Sequence, residues 1–168
     1  MTLYVTADLH LGHRRIIEYA KRPYKDLHEM TCAMVDVWNA TVGDRDTVFV
    51  LGDFHLGIPD GALHRLKGRL HLVQGNHDSK KTIKHPRWES VSHIKYQTHA
   101  KTTFVMCHYP LEVWKQSRYG AVHLHGHCHG KGRKVLNRFD VGWDVYGKPV
   151  PLDVFLAAGA PRGPYQHD

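Results

Sequence analysis

The chain has 168 residues, of which 42% are hydrophobic, and this fits one domain, residues 1–168, with its own core. Lysine and arginine exceed aspartate and glutamate by 23 to 16, which gives a net charge of +7. The basic residues are scattered, so the charge favours a small anionic substrate and allows nucleic acid as a partner without requiring it. The 16 histidines are the unusual feature of the composition.

No segment approaches the roughly 20 apolar residues of a membrane span, and Met1 leads directly into a strand-like segment. We therefore expect a cytoplasmic protein without a membrane partner. Three cysteines without C-x-x-C spacing argue against a disulfide framework. Cys107 and Cys128 are expected to be small buried residues rather than metal ligands.

In the first part of the chain, predicted strands alternate with predicted helices. Residues 3–7 are predicted to form a buried strand, which a polar loop follows. Asp26 and Glu29 have capping-box spacing, and the apolar residues after them recur at helical intervals, so a helix is predicted over about 27–41.

The second strand is predicted over 47–51 and the third over 70–74. Between them, Pro59 and Asp60 predict the start of a short helix that ends at Gly68.

Later strands are predicted near 91–97, 102–107 and 121–125. Helices among strands in the first part and mostly strands in the second indicate an α/β layered fold. In such folds ligands usually bind at the carboxyl ends of strands.

Five of these strands are followed by loops that carry Asp, Asn or His. In chain order these residues are Asp8 and His10, Asp53, Asn76 and His77, His108, and His127 and His129. The D-x-H pattern alone decides nothing, because it occurs three times in a chain rich in both residues. The ordered set is far more specific than any of its parts.

This set resembles the motifs of the calcineurin-like metallophosphoesterases in identity and order. It comprises D-x-H at 8–10, G-D at 52–53, G-N-H-D at 75–78, a histidine at 108 and G-H-x-H at 126–129. The resemblance implies a four-layer αββα sandwich, in which helices flank two mixed β-sheets and a dinuclear metal site lies in the loops at the carboxyl ends of the strands.

The ligand types suit divalent ions such as manganese, iron, zinc or nickel, with manganese expected, and they are too many for one closed zinc. Two ions about 3.5 to 4 Å apart need a bridging ligand, and a carboxylate can bridge where an imidazole cannot, so Asp53 is the candidate. The resemblance implies that one ion takes Asp8, His10, Asp53 and His129, and the other Asp53, Asn76, His108 and His127.

The implied activity is hydrolysis of phosphoric esters by a metal-bridging hydroxide, with His77 protonating the leaving oxygen or stabilising the developing charge. We expect Asp78 to orient His77 or the neighbouring backbone. His125 is a candidate for a supporting contact behind the ligands. Five further residues lie close in sequence to the motifs, and for them contact with substrate and simple exposure to solvent are both open: His13, Arg14, His55, Tyr109 and Arg138.

Leu56 stands where the protein phosphatase branch has a second aspartate, which disfavours a protein Ser/Thr phosphatase. The chain is closer in form to the small bacterial, archaeal and phage phosphoesterases. None of the core motifs contains an arginine, the residue best suited to a monoester dianion, so phosphodiesters are favoured over phosphomonoesters.

Two other functions are compatible with parts of the sequence. A nuclease or nucleic-acid-processing phosphodiesterase agrees with the net charge, but the sequence has no aromatic stacking motif or basic stripe. A noncatalytic interaction module on the same fold is disfavoured because His77 and every ligand type are retained. The physiological substrate, the native metals and the oligomeric state stay open.

Overall fold

Two mixed β-sheets form the centre of the fold in the computed structural model, which describes residues 1–57 and 60–156. The first contains β1 (Leu3–Thr6), β2 (Thr47–Val50), β3 (Arg69–Val73), β4 (Trp88–Ser92) and β9 (Val150–Pro151). Its order is β4-β3-β2-β1-β9, and all neighbours are parallel except β9, which is antiparallel to β1.

The second sheet contains β5 (Ile94–His99), β6 (Thr102–Cys107), β7 (Val122–His125) and β8 (Arg138–Asp140). These strands lie in the order β5-β6-β7-β8, and β5 is antiparallel to β6 while the other pairs are parallel. The α/β fold of two mixed sheets with helices is therefore confirmed.

Five helices accompany the sheets in the described residues: α1 (Arg15–Tyr19), α2 (Leu27–Thr41), α3 (Asp60–Leu63), α4 (Lys80–Ile83) and α5 (Trp143–Tyr146). Helix α2 has the predicted bounds, and the carboxylate of Asp26 accepts the backbone N–H of Glu29 at 2.9 Å, which caps its first turn. None of the helices in these ranges is long and apolar enough to span a membrane.

The centre of the first sheet is buried on both faces, because α2 packs on one side and the second sheet on the other. Val48 and Val50 of β2 join Met34 and Trp38 of α2 in one cluster, while Phe49 faces the second sheet in another. Such double burial explains why β2 is apolar throughout rather than alternating.

The outer face of the second sheet is covered differently. Val105 packs there against Trp114 and Ala121, which belong to the connection between β6 and β7. The helical structure in this connection is a short 3-10 turn, Ser117–Tyr119.

The strands predicted over 3–7, 47–51, 70–74, 102–107 and 121–125 are all present within one residue of their bounds. The single strand predicted over 91–97 is wrong, because the chain leaves the first sheet after Ser92 and enters the second at Ile94. Pro59 lies outside the described residues, and α3 ends at Leu63, before Gly68. The missed elements α1, α4, β8, α5 and β9 have two to five residues, too few for a periodic signal.

We predict that Trp38→Ala lowers the free energy of unfolding by about 3 to 5 kcal/mol, because it empties a large buried site. Trp38 is 0% exposed, and its indole N–H donates to the Lys67 carbonyl at 3.0 Å. Val37→Ala on the same helix is the control, since Val37 is 39% exposed and should cost about 0.5 kcal/mol or less. Urea unfolding compares the two, and equal losses would contradict this account of the core.

Candidate metal centre

The predicted ligands all lie at one edge of the two sheets, where strands of both sheets end. Asp8 and His10 follow β1, Asp53 follows β2, Asn76 follows β3, His108 follows β6, and His127 and His129 follow β7. Loops that are far apart in the chain are therefore brought together, as expected for the carboxyl ends of strands in an α/β fold.

Six of the seven predicted ligands form two groups of three. Within each group, one potential ligand atom per residue lies within 4.8 Å of the others. The first group is Asp8, His10 and His129, and the second is Asp53, His108 and His127. The seventh predicted ligand, Asn76, joins the second group, because its Oδ1 lies 3.0 Å from Nε2 of His108. This membership is the division that the resemblance implies, and the role of these residues as ligands stays a prediction.

The Asp53 carboxylate, a member of the second group, also faces the first group. Its Oδ2 lies 3.6 Å from Nε2 of His10 and 3.5 Å from Nε2 of His108. Its Oδ1 accepts the backbone N–H of His77 at 2.9 Å. One carboxylate oxygen is thus held by the backbone, while the other faces a histidine of each group.

The tautomer of His108 follows from its contacts. Its Nδ1 lies 2.8 Å from the Leu51 carbonyl oxygen, which can only accept, so Nδ1 carries the hydrogen. In a ring that carries only this hydrogen, Nε2 offers its lone pair 3.0 Å from Oδ1 of Asn76 and 3.5 Å from Oδ2 of Asp53. Three electron-rich atoms converge, and a cation between them would satisfy all three.

The first group also presents unsatisfied lone pairs. Nε2 of His10 is buried and has no hydrogen-bond partner among the described residues. Burial lowers the pKa of His10 to about 3, so the ring is neutral at physiological pH. Asp8 is completely buried, and this burial raises its pKa to about 7 although the backbone N–H of His127 and the nearby His129 act to lower it. These atoms fit a divalent ion.

Arg22 and Asp144 support the first group, and sequence reasoning missed both. Nδ1 of His129 lies 2.6 Å from Oδ2 of Asp144, which leaves Nε2 of that ring free to coordinate an ion. Arg22 donates to both carboxylate oxygens of Asp144, at 2.7 and 3.0 Å. Burial opposes ionisation of Asp144, but the hydrogen bonds from His129 and Arg22 outweigh it and lower its pKa to about 2.

Arg22 also fixes the loop after β1. Its guanidinium donates to the backbone carbonyls of Asp8 and Leu9, each at 2.7 Å. This side chain therefore holds the first predicted ligand by its backbone and His129 through Asp144. No motif or spacing marks Arg22 or Asp144 in the sequence, since each is a single polar residue outside the quoted motifs.

Asp78 joins the loops after β2 and β3. Its carboxylate accepts the backbone N–H groups of Asp53, Phe54 and Gly75 at 3.1, 2.9 and 2.8 Å. The expected role was to orient His77 or the neighbouring backbone, and the structure places the carboxylate on the backbone. Burial raises the pKa of Asp78, and the three N–H donors act against this shift.

Five of the predicted ligands have left-handed backbone conformations that residues other than glycine rarely adopt. Their φ angles are 56° for Asp8, 51° for His10, 52° for Asp53, 70° for His127 and 48° for His129. Such conformations cost on the order of 1 to 3 kcal/mol each and cluster at functional sites. The fold thus holds these residues in place against their local preference.

Gly126 shows why the G-H-x-H motif begins with glycine. A Cβ at this position would lie 2.7 Å from Oδ2 of Asp8 and 2.6 Å from Cβ of Ala7, closer than packing allows. The backbone N–H of His127 donates to the same carboxylate, at 2.8 Å from Oδ2. The absence of a side chain therefore lets the loop after β7 close on Asp8.

His77 belongs to neither group of three. It is exposed, and its ring centroid lies 5.5 Å from that of His10. It lines an open pocket of about 720 Å³ with Tyr19, Lys21 and Lys131. His77 is therefore placed to reach a molecule bound in this pocket.

Two of the undecided residues lie beside the site. His13 lines the same pocket, with its ring centroid 5.6 Å from that of His10. Tyr109 is 44% exposed and stands with its ring 4.9 Å from His108 and 5.0 Å from His127. Both positions are compatible with substrate contact.

The other undecided residues lie elsewhere. Arg138 is buried and donates to the backbone carbonyls of Leu111 and Arg133 at 3.0 and 2.9 Å, so it supports loops. Arg14 is exposed directly before α1, and His55 is half-buried with its ring against Gly12.

The residue expected to support the ligands, His125, is buried and has no direct place in either group; it lies with Cys128 and Asp140 instead. Of the two cysteines expected to be buried, Cys107 is buried and Cys128 is only half-buried.

No model of a known protein family matches the chain. The uncharacterized protein MJ1445 from Methanocaldococcus jannaschii is 30% identical over 92% of this chain and 89% of its own length. The structure of the protein of unknown function AQ665 from Aquifex aeolicus has a TM-score of 0.75 at 20% identity, and the match covers 91% of this chain and 96% of that one. The structure of Yfce, a phosphoesterase from E. coli, has a TM-score of 0.54 at 17% identity, and the match covers 84% of this chain and 78% of the Yfce chain.

We predict that Asp8→Asn stabilises the metal-free protein at alkaline pH. Burial raises the pKa of Asp8 from 3.8 to about 7 in the folded protein. Below the pKa of the unfolded state the carboxyl is neutral in both states and does not weaken folding. As the pH rises through the folded pKa the buried carboxyl ionises, and the free energy of unfolding falls. Asparagine does not titrate and can still accept the His127 N–H. The variant's advantage in Tm, measured in chelator, should therefore grow from about pH 5 to about pH 8 and reach about 2 °C or more.

The control is Asp36→Asn at an exposed position of α2, which should leave the pH dependence of Tm unchanged. A Tm for Asp8→Asn below that of the wild type at every pH would show that the buried charge is already compensated.

Proposed function

We propose that this chain, which belongs to the same family as MJ1445 and shares its fold with the phosphoesterase Yfce, is a metal-dependent phosphoesterase of the calcineurin-like metallophosphoesterase superfamily. Its substrates are phosphoric esters, with phosphodiesters favoured over phosphomonoesters. The proposal assigns the seven predicted ligands to two divalent ions and gives His77 the part of proton donor.

The observation that carries this proposal is the position of Asp53. Its Oδ2 lies within 3.6 Å of a histidine nitrogen from each group, as a ligand shared by two ions requires. An imidazole offers a single lone pair in this role, whereas a carboxylate oxygen keeps more than one. The buried, unpartnered Nε2 of His10 and the converging acceptors around His108 support the same assignment.

The donor set agrees with borderline-hard divalent ions, and manganese is expected, with iron, zinc and nickel compatible. When bound, such ions supply Lewis-acid charge that neutralises phosphate oxygens and lowers the pKa of an attacking water. The protein's part is to hold the ligands in place, through Asp78 for the loop of Asp53 and through Arg22 and Asp144 for the first group.

His77 is proposed to donate a proton to the leaving oxygen. Its backbone N–H is fixed by Asp53, while its ring is exposed on the side of the pocket. A ring anchored next to the shared carboxylate but outside both ligand groups can meet the ester without losing its proton-carrying nitrogen to an ion.

The preference for diesters is supported by the state of the arginines near the site. Arg22 is engaged with Asp144, and Arg138 is engaged with backbone carbonyls, so neither is available to a dianion as a bidentate partner. The cations that line the pocket are Lys21 and Lys131. Tyr19, 61% exposed at the same pocket, offers a ring surface to the second substituent of a diester.

A nuclease or nucleic-acid-processing activity would be a special case of this diesterase, and the net charge of +7 is compatible with it without requiring it. A noncatalytic interaction module is less well supported, because it would not require His77 beside converging, unsatisfied ligand atoms.

We predict that His77→Ala lowers kcat by roughly 100-fold or more while the content of divalent metal stays near wild type. Asp53→Asn should lose metal and activity together, because it weakens the shared ligand. Metal analysis after dialysis, combined with steady-state kinetics, separates the two effects. His93→Ala, at an exposed histidine far from the motifs, is the control and should change neither. If His77→Ala loses as much metal as Asp53→Asn, the roles are assigned wrongly.

We also predict that kcat/KM for bis(p-nitrophenyl) phosphate exceeds that for p-nitrophenyl phosphate with Mn²⁺. A diester monoanion needs less compensating charge than a monoester dianion, and its alkoxide leaving group in natural esters needs the proton that His77 supplies. A cyclic nucleotide and the corresponding nucleoside monophosphate form the second pair. A preference for the monoester in both pairs would overturn the diesterase proposal and leave the phosphoesterase proposal standing.

A further inference from the structure

A third group of potential metal ligands lies next to the proposed dinuclear site and shares no residue with it. A ring nitrogen of His125, the thiol sulfur of Cys128 and a carboxylate oxygen of Asp140 lie within 4.8 Å of one another. His125 ends β7 and Asp140 ends β8, and the two residues are direct register partners. Cys128 belongs to the loop that follows β7.

His125 has the arrangement that metal-binding histidines usually have. It is 3% exposed, and its Nδ1 lies 2.8 Å from the carbonyl oxygen of Gly126. Because a carbonyl only accepts, Nδ1 carries the hydrogen, and Nε2 of the neutral ring keeps its lone pair. A backbone carbonyl that fixes the tautomer in this way is the common support of a histidine ligand.

The carboxylate of Asp140 is held by backbone hydrogen bonds and can still accept a further partner. Its Oδ2 accepts the backbone N–H of Gly130 at 2.8 Å, and its Oδ1 accepts that of Gly142 at 2.9 Å. Each oxygen keeps lone pairs for a further partner. Cys128 is confined from another direction, since a Cβ on Gly132 would lie 3.2 Å from its sulfur.

We propose that His125, Cys128 and Asp140 form a third metal site, whose ion is Zn²⁺. Nitrogen, sulfur and oxygen donors together are ligands that zinc accepts, and a thiolate discriminates against manganese. Three protein ligands leave the fourth position of a tetrahedral ion open. An adjacent pocket of about 390 Å³, which His125 and Asp140 line with Arg133 and Lys134, leaves room there for water or an anionic group.

This site would brace the loop that the dinuclear centre uses. Cys128 lies between His127 and His129, which belong to different groups of predicted ligands. An ion that ties Cys128 to the ends of β7 and β8 would fix this loop from behind. In this proposal Cys128 is a metal ligand, whereas the sequence favoured a small buried residue.

Cobalt substitution tests the proposal, because the seven predicted ligands of the dinuclear site include no sulfur. Titration of the full-length wild type with Co²⁺ should give a thiolate-to-cobalt charge-transfer band in the near ultraviolet. Cys128→Ser should lose this band, and Cys32→Ser, at a half-buried cysteine of α2, should retain it. Asp53→Asn should also retain the band, which separates the third site from a failure of the proposed dinuclear site.

Alkylation of the wild-type protein is a second test, and its result does not depend on whether any variant folds. With Mn²⁺ present throughout, added Zn²⁺ should slow the reaction of Cys128 with iodoacetamide by at least about tenfold, because the bound thiolate is no longer a free nucleophile, and should leave Cys32 unchanged. Peptide mass spectrometry reads both sites. Absence of the cobalt band, its survival in Cys128→Ser, or unchanged alkylation of Cys128 would each overturn the proposal.

Discussion

One carboxylate, that of Asp53, stands between two sets of electron-rich side chains, and the site is organised around it. Its Oδ1 accepts the backbone N–H of His77, and its Oδ2 faces histidines in the loops that follow β1 and β6, strands of different sheets. Without positive charge between them, these lone pairs repel one another. The arrangement becomes favourable when cations occupy the space. The proposed dinuclear centre therefore depends on the placement of Asp53 at the edge where the two sheets meet.

The fold maintains this unfavourable arrangement by fixing backbone rather than side chains alone. Asp78 accepts three backbone N–H groups and so joins the loops after β2 and β3. Arg22, buried beneath the site, holds two carbonyls of the loop after β1 and pairs with Asp144 behind His129. Left-handed conformations at five predicted ligands cost stability, which the surrounding core must supply. The folded protein is therefore less stable than it would be without these conformations, but the predicted ligands are already in position.

Much of the fold and of the site could be predicted because both leave local signals. Strands buried on both faces are continuous apolar runs, as in β2, and the predicted ligands follow them in short motifs whose glycines permit close approach, as Gly126 does. Arg22 and Asp144 left no such signal, since they are single polar residues 122 positions apart that meet only in the folded chain. The same holds for Cys128, whose neighbours in space include Asp140 from a three-residue strand without periodicity.

The most direct test of the central claim is anomalous X-ray diffraction at the manganese edge from crystals of the protein grown with Mn²⁺. The account predicts two peaks about 3.5 to 4 Å apart, with the Asp53 carboxylate coordinating both ions and the two groups of three ligands divided between them. A single peak at this edge of the sheets, or two peaks that do not share Asp53, would contradict it.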